Sequence, residues 1–142
     1  MPMYKERMQQ QTIALFGEAE KGTLALPLTI HSLIELNDQL GHPPEESHGV
    51  DFAVQFLLYG CAVVYIRVAE EGFSHQHYTK GFDLLLQSPL LASTLSAICL
   101  PGVGNKEIIH ATKPLCRLYH TLLITTEKDL YDYLTALSPF AS

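Results

Sequence analysis

Four short apolar runs, at 12–16, 61–68, 95–100 and 122–125, are spread along this 142-residue chain, and helical patterning fills the segments between and after them. A run of four to eight apolar residues with no polar alternation describes a strand covered on both faces. Strands of that kind, alternating with helices, fit an α/β fold in which each helix carries the chain back for a parallel neighbour. The expectation is a three-layer α/β sandwich: a mostly parallel four-stranded sheet with helices on both faces and right-handed crossovers. The run 61–68, rich in β-branched residues, is placed in the middle of that sheet.

Local signals mark where the helices start and stop. Ser32 with Glu35 three residues on forms a capping box, and Gly41 is placed for a left-handed C-terminal cap. The Pro43-Pro44 pair makes the next segment a loop, after which Val50, Ala53, Val54, Leu57 and Leu58 recur at helical spacing until Gly60. Ser74 is read as the cap of a third helix, weakened by Gly81 and ended by Pro89. Asn105 caps a helix through Tyr119 that Pro114 must kink or break, and Thr126 opens a last amphipathic helix. Residues 1–11 are polar and without period, read as a flexible arm preceding a single α/β domain over 12–142.

The formal charge is −6, from nine basic and fifteen acidic residues, and no basic run exists to neutralise phosphates; nucleic acid is therefore an unsuitable partner. No apolar stretch reaches the ~20 residues of a membrane-spanning helix, and the polar N-terminus lacks a signal-peptide core. The reading is a cytoplasmic protein with no membrane partner. Cys61, Cys99 and Cys116 lie in apolar surroundings without metal-like spacing and are read as free buried thiols. Hydrophobic residues make up 47% of the chain and charged residues 17%, a balance that suits either a dense core or surface buried in an oligomer.

Several constellations bear on chemistry, and each is short of a full set of roles. The loop 101–105 sits between a strand and a helix, where backbone N–H groups of Gly102, Gly104 and Asn105 can hold an anion. It lacks the third glycine of a dinucleotide fingerprint and the lysine of a P-loop. His75 and His77 follow Glu70 and Glu71 but have no third metal ligand in sequence. Cys116 and His120 are one helical turn apart, without an orienting group. The loop 17–22, with Glu18, Glu20 and Lys21, lies at a strand's carboxyl end, where α/β sheets bind ligands; it suits a ligand or a subunit contact. Tyr131 and Tyr133 with Phe140 form either a terminal aromatic interface or part of the core. No catalytic group, metal or cofactor is assigned.

Gly17 and Gly22, Ser32 with Glu35 and Gly41, Ala53-Val54 with Phe56 and Gly60, Arg67-Val68, and Pro101-Gly102 follow one another in an order that resembles the core of contractile phage tail-sheath proteins, over roughly 12–133. In that family these positions are structural. The resemblance implies a homo-oligomeric assembly protein, building rings or filaments around an inner tube and interlocking by terminal extensions that add strands to a neighbour's sheet. Thr23 stands where the family commonly has Pro, the segment 69–89 is shorter than the usual insertion, and the family's C-terminal domain has no counterpart here. A minimal relative, or an adaptor meeting an inner-tube or other assembly protein, is what the pattern implies, in the cytoplasm or within a phage-like particle. The alternatives are a small α/β ligand- or nucleotide-binding module, or an enzyme, using loops 17–22 and 101–105.

Overall fold

A computed structural model describes residues 10–137. Five strands form one sheet: β1 (Thr12–Gly17), β2 (Leu28–Ile30), β3 (Ala62–Arg67), β4 (Leu95–Cys99) and β5 (Leu122–Ile124). The helices are α1 (Leu33–Leu40), α2 (Gly49–Leu58), α3 (His75–Leu86), α4 (Pro89–Ala92), α5 (Lys106–Ala111), α6 (Lys113–Tyr119) and α7 (Glu127–Leu137). In space the strands run β2-β3-β1-β4-β5. All four expected strands are present, and their pairings β3 with β1, β1 with β4 and β4 with β5 are parallel. The fifth strand, β2, pairs antiparallel with β3, so the sheet is mixed and β3 lies inside it.

Successive side chains of β1 point to opposite faces, and the chain uses both. Ile13 and Leu15 join Val63 and Tyr65 in one apolar cluster that takes Leu36 and Leu40 of α1, Phe52 and Phe56 of α2, and Leu130 and Leu134 of α7. Ala14 and Phe16 join Val64 and Ile66 in a second cluster, with Tyr78 and Phe82 of α3, Ile108 of α5 and Leu115 of α6. Phe16 stacks on Tyr78 at 5.5 Å between ring centroids and tilts against Phe82 at 4.8 Å. Burying each such side chain contributes about 1.5–3 kcal/mol.

Most of the expected punctuation is found, with physical exceptions; Gly41 does end α1, but at φ 75° and ψ −152°, outside the left-handed helical region expected of it. Ser32 Oγ accepts from Glu35 N, while the Glu35 carboxylate reaches back to His31 N rather than to the cap residue itself. Asn105 Oδ1 accepts from both Glu107 N and Ile108 N. The helix expected to bend at Pro114 divides at Thr112 into α5 and α6, with Pro114 in the first turn of α6, where its missing N–H costs nothing. Ser74 precedes α3 without capping it, because its hydroxyl oxygen is taken by Glu70 N. Pro89 opens the short α4, and α3 has already ended at Leu86. At the amino end of the sheet, Gln10 Nε2 donates to the Gly60 carbonyl and Ala62 N to the Gln11 carbonyl.

Candidate functional site

β1 is the central strand, and the chain leaves it first towards β3 on one side and then towards β4 on the other. Such a reversal opens a crevice at the carboxyl ends of the strands, the usual ligand position in open α/β sheets. Here the carboxylate of Glu71, from the loop after β3, lies in that region. Its Oε2 accepts from Glu18 N at 2.8 Å and Gly49 N at 2.9 Å, and its Oε1 from His48 N at 2.9 Å.

The local sequence explains this arrangement. Helix α2 begins after His48, which provides no side-chain cap, so the first N–H groups of the helix need an acceptor from elsewhere. A carboxylate at a helix N-terminus answers both the orphan donors and the helix dipole. Glu18 ties the other side: its Oε2 accepts from Glu71 N at 2.9 Å, reciprocating the bond from Glu18 N. Tyr65 Oη donates to the Glu18 carbonyl at 2.6 Å, and Tyr78 Oη accepts from Gly72 N at 2.9 Å. Burial pushes the Tyr78 phenol up to about 12; burial first, then the Glu71 charge, holds Tyr65 well above the ordinary tyrosine value, so both rings stay neutral. Gly17 and Gly49 allow the close approach: a Cβ on Gly49 would stand 2.7 Å from Gly17 Cα and 3.0 Å from Glu71 Oε2.

The remaining sequence candidates are dispersed. Glu20 Oε1 accepts from His42 N, and Lys21 N donates to the Leu40 carbonyl, so loop 17–22 is fastened to the end of α1 while the Lys21 side chain stays exposed. In loop 101–105, Asn105 itself serves the first N–H groups of α5; Gly102 and Gly104 are exposed. His77 Nδ1 accepts from Ala69 N, whereas His75 Nδ1 lies 3.7 Å from Glu107 Oε2. Among the described residues no three His, Cys, Asp or Glu side chains gather as metal ligands would. Cys116 is half-buried beside the second cluster, and the exposed His120 ends α6 in the left-handed region at φ 56°. Tyr131 is 70% exposed, and Tyr133 is half-buried with its ring edge-on to Phe56 at 6.1 Å. Phe140 lies outside the described residues.

Two features went unread in the sequence. Glu71 was grouped with its exposed neighbour Glu70, although an uncapped helix start at His48-Gly49 signals a need for a distant acceptor. The second is a cleft of about 160 Å³ beside the end of β3, between the 22–28 segment and α1, with Arg67 and Tyr65 among its walls. An arginine closing an otherwise apolar strand was the available signal. No protein-family model, curated protein or solved structure matches the chain.

Proposed function

We propose that this protein is an assembly subunit, resembling the core of contractile tail-sheath proteins, that forms rings or filaments with copies of itself or acts as an adaptor in a larger assembly. The observation that carries the reading is the state of the sheet edges. Both β2 and β5 are three-residue strands with one side unpaired among the described residues, and each edge bears an exposed leucine: Leu26, 50% exposed, just before β2, and Leu122, 59% exposed, on β5. An open edge is a template for a strand from another chain, and apolar side chains beside it favour burial over solvent.

Other observations support the same reading. The residues that carry the resemblance have backbone duties: Gly41 (φ 75°) and Gly102 (φ 77°) turn the chain, Ser32 caps α1, and Gly17 permits the contact with Gly49. At the carboxyl-end crevice, which a ligand-binding module or an enzyme would use, the N–H groups of Glu18, His48 and Gly49 are already bonded to Glu71. The division of the core into two clusters, one with α1, α2 and α7 and the other with α3, α5 and α6, supports a three-layer sandwich as the finer architecture. No described helix is long and apolar enough to cross a membrane.

The test is sedimentation of three proteins at equal concentration: the full chain, Leu122→Lys, and a chain lacking residues 1–9, which keeps the bonds of Gln10 and Gln11 to Gly60 and Ala62. A lysine on an edge strand blocks pairing, and loss of the arm removes a strand donor. Either change lowers the mass in solution if assembly runs through the sheet edges. A mass unaffected by both changes counts against that route.

A further inference from the structure

Arg67 ends β3, two residues after Tyr65, and both line the cleft beside Gly22. Its Nη1 donates to the Gly22 carbonyl at 2.6 Å, and its Nε is enclosed without a hydrogen-bond partner among the described residues. None of the ion pairs among the described residues includes it. Arginine stays protonated at every ordinary pH, so the cleft contains a partly desolvated cation with no ion-pair partner among the described residues, in a chain whose net charge is −6. Charge in that position draws an anion, because the low surrounding polarity strengthens the attraction.

The walls select which anion. About 160 Å³ is smaller than the roughly 300–1,000 Å³ of small-molecule and cofactor sites, so the cleft takes a small molecule or a single functional group. Leu26, Leu28 and Leu40 offer aliphatic surface. The carbonyl end of α1, at Gln39 and Leu40, adds partial negative charge, and with a single cation this disfavours a doubly charged phosphate. A planar carboxylate matches the guanidinium edge and carries one charge. We propose that the cleft is a carboxylate-binding site in which Arg67 holds the carboxylate and a short apolar stem rests on Leu26, Leu28 and Leu40. The carboxylate comes from a free short-chain acid or from an acidic side chain or terminus of a second copy. The site goes beyond the assembly reading and stands without it in the free-acid case.

Saturation-transfer NMR on sodium butyrate, with the full chain at constant ionic strength, tests binding at any particle size; sodium phosphate is titrated in parallel by equilibrium dialysis. Light scattering on the same samples follows mass. Saturable butyrate binding that is weakened at least ten-fold in Arg67→Gln, with phosphate weaker than butyrate, establishes the site for a free acid. A mass that falls on adding butyrate, and in Arg67→Gln without it, assigns the carboxylate to a second copy. Leu26→Glu, at the exposed rim, puts a repelling carboxylate at the mouth and gives the same loss of butyrate binding should Arg67→Gln fail to fold; its mass is not read, because Leu26 also flanks the β2 edge. Butyrate that alters neither signal nor mass, that binds both variants as it binds the parent, or that binds more weakly than phosphate overturns the proposal.

Discussion

Replacing Glu71 by Gln keeps the side-chain volume and removes the charge at the junction of three loops. Oε2 serves two N–H donors and Oε1 one, so the amide oxygen is best placed where Oε2 stood, leaving the NH₂ group against His48 N–H. Two charge-assisted bonds become neutral ones; the difference between about 1.5–3 and about 0.5–1.5 kcal/mol per bond gives a loss of roughly 2–3 kcal/mol. The stranded His48 N–H adds about 1 kcal/mol, the low end of the range, since His48 is exposed and water can reach part of the group. The expected destabilisation is therefore about 3–4 kcal/mol, a large share of the ~5–15 kcal/mol of an ordinary domain. Urea unfolding followed by circular dichroism at pH 7 reads it as a lowered midpoint with unchanged slope. Glu70→Gln, at the exposed neighbour, is the control and stays within about 0.5 kcal/mol. A loss below about 1 kcal/mol for Glu71→Gln refutes the reasoning, because it places this carboxylate among ordinary surface acids.

Gly49→Ala drives a methyl group against Gly17 Cα and the Tyr65 hydroxyl and is expected to cost about 1–3 kcal/mol or more, whereas Gly104→Ala, with open space around it, changes thermal stability little. Asp129 Oδ2 accepts from Thr125 N, Thr126 N and the Thr125 hydroxyl, and the Thr125 backbone bond above all lowers its folded pKa. A lowered folded value means stability present above the unfolded carboxylate pKa and lost as pH falls through the folded one. Asp129→Asn should thus flatten the acid limb of stability against pH while leaving its shape above neutrality; an acid limb identical to the parent's sinks the assignment. Burial raises the Cys61 thiol to about 11 and Cys99 well above its ordinary value, while Cys116 is only half-buried. A thiol reagent on the folded protein should label Cys116 first, with the other two reacting on unfolding; simultaneous labelling contradicts the burial.

The legible and illegible parts of the fold divide by how local their causes are. The strands β1, β3 and β4 are long apolar runs buried on both faces, and that pattern is written in consecutive residues. The strand β2 was missed because it has three residues, follows Pro27, and exposes Thr29, so it carries neither the length nor the unbroken apolar character of the others. Its strand state depends on pairing with β3, a contact between residues 28–30 and 63–65 that no local window contains. The site divides in the same way. Asn105 was legible as a cap because its partners are two and three residues on. Glu71 bonds across 53 residues to Glu18 and across 22 to Gly49, so its role rests on tertiary placement. The glutamates of loop 17–22 are expected at an interface or ligand; within the chain Glu18 and Glu20 also accept from Glu71 N and His42 N, bonds between residues 53 and 22 positions apart that no local window contains.

The central claim is self-assembly, and mass in solution tests it most directly. Size-exclusion with light scattering on the full chain at tens of micromolar, followed by negative-stain imaging, should give a multiple of the 15.8 kDa chain and ring or filament outlines. A single species at 15.8 kDa over that concentration range, with no ordered particles on the grid, contradicts the account.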